Sequence, residues 1–138
     1  MSKRKVYLKA DASSEIGYGH FIRTLALADM LKDDFDCTFF TSDPNEYQKG
    51  EVAKVCNLHP LTFTSAQEDF LRLLKGDEIV VLDNYYYTSD YQKAIKDIGC
   101  KLVCIDDVHD KHYYADIVIN HAPGSDVRDY SCEQYTKL

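Results

Sequence analysis

The stretch that decides the fold runs from Lys5-Val6-Tyr7-Leu8-Lys9-Ala10 into residues 11–31, DASSEIGYGHFIRTLALADML. The first six residues read as a strand, Gly17-Tyr18-Gly19 as a tight turn, and the segment from His20 onward as a helix. In that helix Phe21, Leu25 and Ala28 recur at i, i+4, i+7 and face a sheet. A histidine therefore stands where a helix must begin. Arg23 projects from roughly the opposite side to the apolar stripe, and at three residues from His20 it can share a neighbouring face near the helix start.

The same alternation continues along the chain. Apolar, β-branched runs at 5–10, 37–41, 58–63, 78–82, 101–105 and 116–119 predict strands, and amphipathic segments near 20–33, 66–75 and 88–98 predict helices. Runs such as Ile79-Val80-Val81-Leu82 and Leu102-Val103-Cys104-Ile105 are hydrophobic without alternation, as a parallel sheet covered on both faces requires. The predicted architecture is a Rossmann-like, three-layer α/β domain with a parallel sheet. It is expected to occupy residues 1–120, with 121–138 as a tail.

At 138 residues the chain is one domain's worth of sequence, long enough to bury its own core. Sixteen Lys and Arg against twenty-three Asp and Glu give a net charge of −7. No basic stripe is present, so nucleic acid is not an expected partner. The basic Met-Ser-Lys-Arg-Lys start precedes an apolar run too short for a signal peptide, and about 18 consecutive apolar residues occur nowhere. A soluble, cytoplasmic protein without a membrane partner is expected. The five cysteines, at 37, 56, 100, 104 and 132, lack C-x-x-C spacing and read as free thiols, with Cys100 and Cys104 as small core residues on one side of a strand.

Ligands of open parallel sheets bind beyond the carboxyl ends of the strands, and the polar clusters obey that geometry. Asp11 to Gly19 follow the first strand, Thr41-Ser42-Asp43 the second, Asp83-Asn84-Tyr85 the fourth, Asp106-Asp107 the fifth and Asn120-His121 the sixth. Capping and turn formation explain any one of them; their coincidence points to a shared rim. Gly17-Tyr18-Gly19 lets backbone approach a ligand, but the third glycine of a dinucleotide fingerprint is absent. At a helix N-terminus the dipole disfavours imidazolium, so His20 is expected to be neutral and able to take a proton from water, while Arg23 adds charge for an anion. The residues alone leave open whether His20 is a general base or a helix-start packing residue. Asp106, Asp107, His109, Asp110 and His112 crowd together but match no standard zinc or calcium spacing, so no metal or cofactor is expected.

The run Asp11-x-Ser13-Ser14-x-Ile16-Gly17-Tyr18-Gly19-His20-x-x-Arg23-x-Leu25-Ala26-Leu27-Ala28 resembles the N-terminal signature of the PseG family, UDP-sugar hydrolases of pseudaminic acid biosynthesis, and of its spore-coat polysaccharide relatives. Val81-Leu82-Asp83-Asn84-Tyr85, Ile105-Asp106-Asp107 and Ala115 to Asn120 with Pro123-Gly124 and Asp129-Tyr130 extend the resemblance over essentially the whole chain. It implies the N-terminal half of a glycosyltransferase-B-type fold and hydrolysis of UDP-2,4-diacetamido-2,4,6-trideoxy-β-L-altropyranose with inversion and without a metal. His20 matches the base that activates water and Tyr85 an active-site tyrosine. Asp11, Ser13, Gly17, Tyr18, Gly19, Arg23, Asp83, Asn84, Asp106, Asp107 and Asn120 are the expected substrate-binding rim. Two features depart from the pattern. The chain ends about where the uridine-binding domain of such an enzyme would start, so that domain is the expected missing partner, and the isolated domain is expected to be a poor catalyst. Tyr86-Tyr87 also stand where relatives often carry glycine. An acceptor-side glycosyltransferase domain and a noncatalytic sugar-binding module are the alternatives.

Overall fold

The computed structural model describes residues 3–12, 17–83, 87–106, 111–120 and 131–132. Six parallel strands form one sheet in the order β3-β2-β1-β4-β5-β7, built from β1 (Lys5–Ala10), β2 (Asp36–Ser42), β3 (Asn57–Leu61), β4 (Ile79–Asp83), β5 (Lys101–Ile105) and β7 (Ile117–Ile119). The crossovers are α1 (Gly19–Leu31), α2 (Glu46–Ala53), α3 (Ala66–Leu73) and α4 (Ser89–Ile98). The Rossmann-like α/β prediction holds. Among the described residues no helix is long and apolar enough to cross a membrane.

Two cores lie on either side of the sheet because successive strand residues point to opposite faces. On one face Val6, Leu8, Ala10, Phe39 and Val81 pack against Phe21, Leu25 and Ala28 of α1 and Val52 of α2. On the other, Phe40, Val80, Leu82, Leu102 and Cys104 pack against Phe70 of α3 and Tyr91 and Ile95 of α4. Cys100 lies in this second core with Cys104, as expected of small buried residues. Each fully buried phenylalanine or leucine contributes about 1.5–3 kcal/mol relative to exposure, so the apolar stripe on α1 fixes which way that helix faces.

The sequence reading missed α2. Its segment EYQKGEVA buries only Gln48 and Val52, too thin a stripe for periodicity to reveal. What starts it is a reciprocal cap: Gln48 N–H donates to Asn45 Oδ1 at 2.9 Å, and Asn45 N–H donates to Gln48 Oε1 at 3.0 Å. Two further strands, β6 (His112–Tyr113) and β8 (Ser131–Cys132), pair in parallel as a separate small sheet and are too short to carry a period.

With α1 and α2 on one face and α3 and α4 on the other, the connections after β1 and β4 leave the sheet in opposite directions. The carboxyl ends of these adjacent strands are therefore the switch point at which open α/β sheets bind ligands.

Candidate functional site

β4 ends on Asp83, and its register partner Ala10 ends β1 at the switch point. Asp83 is completely buried and gathers the start of α1 around it. His20 Nδ1 lies 2.7 Å from Oδ1, Arg23 Nη2 donates to the same oxygen at 2.5 Å, Arg23 Nε donates to Oδ2 at 2.6 Å, and the Thr24 hydroxyl donates to Oδ2 at 2.7 Å. Arg23 thus grips the carboxylate with a two-pronged fork. This corrects the expected orientation of Arg23. It sits only a small rotation around the helix from His20, and its long side chain leans back over the first turn to reach Asp83.

Burial alone would raise the Asp83 carboxyl, yet the hydrogen bonds from Arg23, His20 and Thr24 and the guanidinium charge outweigh it and hold the group below its usual value. An ionised Asp83 decides the histidine's tautomer. Arg23 Nη2 also lies 3.1 Å from His20 Nδ1, but guanidinium and imidazole both present protons to the shared Oδ1. Nδ1 therefore carries the hydrogen donated to Asp83, and the ring's lone-pair nitrogen is Nε2. An aspartate that fixes a histidine in this tautomer is the arrangement of a general base.

Gly17 has φ 76°, a left-handed conformation that favours glycine, and among the described residues a Cβ added at Gly17 or Gly19 would meet nothing within 4 Å. Tyr18 serves as the N-cap residue of α1 but turns towards α2, where its hydroxyl accepts from Asn45 Nδ2 at 2.8 Å and its ring meets Tyr47 edge-on. It is not gathered around Asp83.

The remaining rim residues divide. Asp11 is buried and accepts from the Ser42 backbone N–H at 2.8 Å, tying the ends of β1 and β2 together. Asp106 is buried, its N–H donating to Ile119 O at 2.9 Å, which sets it beside Asn120 beyond the paired ends of β5 and β7. Ser13, Asn84, Tyr85 and Asp107 lie outside the described residues, as do His109 and Asp110.

Sequence reasoning passed over Thr24, Lys9 and Tyr87. Thr24 is four residues from His20, so helical spacing alone could have placed it on the same face as that histidine. Lys9 is 1% exposed, its Nζ donating to Tyr87 Oη at 2.6 Å and lying 4.7 Å from that ring's centre. Burial lowers its pKa, with partial relief from the charge of Asp11. A lysine inside an otherwise apolar parallel strand was the available signal, since such strands are covered on both faces.

No protein-family model matches the chain. It is 31% identical over 131 residues to an uncharacterized protein of Methanocaldococcus jannaschii, an alignment that covers 91% of this chain and 26% of that protein. It is 30% identical over 131 residues to the UDP-2,4-diacetamido-2,4,6-trideoxy-beta-L-altropyranose hydrolase of Campylobacter jejuni, covering 91% of this chain and 44% of the enzyme. The chain thus spans less than half the length of either relative, and its similarity to the hydrolase is a distant one that runs through nearly all of its own residues.

Proposed function

We propose that this chain is the histidine-bearing domain of a nucleotide-sugar hydrolase that acts on UDP-2,4-diacetamido-2,4,6-trideoxy-β-L-altropyranose in pseudaminic acid biosynthesis. The observation that carries the reading is the Asp83–His20 pair, 2.7 Å apart at the switch point of the sheet. The choice of substrate is supported by the distant similarity to the Campylobacter jejuni hydrolase.

In this mechanism water gives a proton to His20 Nε2 while its oxygen attacks the anomeric carbon from the face opposite UDP. The bond from that carbon to the β-phosphate oxygen breaks, UDP leaves with the electron pair, and the sugar is released with inverted configuration. Asp83 is a positioning residue: it holds the Nδ1–H tautomer and offsets the imidazolium charge as it forms. Arg23 and Thr24 keep that carboxylate ionised and aimed. The Gly17–Gly19 turn lets the sugar approach, and Tyr85 contacts it. Residues 1–120 form the sugar-side domain, and 121–138 lead towards a second domain that holds the uridine nucleotide across the cleft of a glycosyltransferase-B-type fold.

The test is UDP release from the UDP-diacetamido sugar by a protein extended through that second domain. His20→Ala is expected to lower turnover by about 100-fold or more, the usual worth of a general base, with an unchanged circular dichroism spectrum. Turnover near that of the parent protein would remove His20 from the chemistry. No hydrolysis by the well-folded extended protein would turn the reading towards a transferase or a binding module.

A further inference from the structure

On the α3–α4 face of the same rim, a cavity of about 240 Å³ is lined by Lys9, Asp11, Ser42, Phe63, Ala66, Gln67 and Tyr87. It lies just below the ~300–1,000 Å³ of pockets for drug-sized ligands, so it suits a substituted ring, not a whole nucleotide. Its polar side chains converge. Lys9 is buried to 1% exposure, Asp11 and Ser42 to 4% each, and among the described residues the Ser42 hydroxyl has no hydrogen-bond partner. A buried hydroxyl left unpartnered is costly and needs an explanation. A bound ligand supplies one.

We infer that this cavity binds the N-acylamino group of a sugar, with the Ser42 hydroxyl and the Lys9 ammonium donating to the acyl oxygen, Asp11 accepting from the amide N–H, and the methyl group against Ala66 and Tyr87. The charges favour a neutral group, because an anion drawn by Lys9 would also face the Asp11 carboxylate. The walls favour one with an apolar end, because Ala66 and Tyr87 flank the polar trio. At the mouth stands Phe63, an aromatic ring left 59% exposed, which offers a platform for a sugar face. Lys9 is followed directly by Ala10, the register partner of Asp83, so the cavity and the His20 site flank the same two strand ends on opposite faces. The inference deepens the hydrolase reading and rests on it for the identity of the sugar.

The test is a chemical-shift titration of the 138-residue chain with methyl 2-acetamido-2-deoxy-β-D-glucopyranoside and, separately, with methyl β-D-glucopyranoside. The acetamido glycoside is expected to shift the amide signals of Ser42, Phe63 and Gln67 saturably in the millimolar range, with Ser42→Ala weakening it by about 5-fold, the loss of one ordinary hydrogen bond. Phe63→Ala, at an exposed position that does not threaten the fold, should weaken it comparably. Absence of saturable shifts at these residues, equal binding of both glycosides, or indifference to Ser42→Ala and Phe63→Ala would overturn the inference. Saturation in a protein whose extended form hydrolyses nothing would sink the hydrolase reading and keep the pocket; hydrolysis without saturation would do the reverse.

Discussion

Replacing Asp83 by asparagine keeps the shape of the side chain and removes its charge, so the variant isolates what the carboxylate does. In the native protein the two oxygens accept four hydrogen bonds, from His20, twice from Arg23 and from Thr24. An amide keeps one acceptor oxygen and puts a donor where the other stood, so two donors face an N–H₂ group. Each buried donor left unsatisfied costs about 1–3 kcal/mol. The Arg23 side chain, 22% exposed, can turn partly to water, which lowers its share. A net loss of roughly 2–4 kcal/mol follows, and for a domain of this size a melting temperature lower by about 10 °C. The sign with pH is defined. Asp83 titrates below its usual value of 3.8 in the folded chain, so its contribution is fully present above that value and is lost as pH falls through the folded-state pKa. Thermal melts followed by circular dichroism should therefore show the largest gap between parent and Asp83→Asn at neutral pH, narrowing as the solution is acidified below about pH 4.5. In the extended protein the same variant should lose turnover by about 100-fold, no more than His20→Ala does, since asparagine acts through the histidine and cannot enforce its Nδ1–H tautomer. A melting temperature within about 2 °C of the parent at pH 7, or a gap that stays constant down to pH 3, would refute the reasoning.

Two further outcomes test the opposite edge of the sheet, where the strands begin. Gly76 has φ 108° and lies so close to the end of α4 that an added Cβ would sit 2.7 Å from the Ile98 carbonyl oxygen; Gly76→Ala should cost about 1–3 kcal/mol in urea denaturation, and a neutral result would show that this contact yields easily. The half-buried thiol of Cys56 is pushed up to about 11, mainly by burial and then by Cys37, so peptide mapping after iodoacetamide treatment at pH 7.5 should find it labelled roughly a hundredfold more slowly than a free cysteine. Rapid labelling would mean that the thiol is less shielded than its surroundings indicate.

The strands β1, β4 and β5 and the helices α1 and α4 were legible because each buries a continuous run or a full apolar stripe, and burial of that kind leaves its period in the chain. α2 was not, because what holds it is a local cap and one valine, so the informative residues were Asn45 and Gln48 and not a hydrophobic pattern. The rim was legible as a set of strand ends, since the order of apolar and polar segments dictates where the chain leaves the sheet.

By itself the sequence determined a parallel α/β sheet, the glycine-flanked histidine at the head of α1 and the collection of polar residues along one edge. Only the tertiary structure decided how those residues divide their work. Asp83 and His20 are 63 positions apart, and no spacing rule predicts that Asp83 should be buried beneath Arg23 and Thr24 instead of exposed on the rim. Lys9 and Tyr87, 78 positions apart, meet only because β1 and β4 become neighbours in the sheet. Local preferences are set by near neighbours along the chain, whereas ion pairs and cavities are set by which strands lie side by side. That order comes from packing helices on both faces of a single sheet.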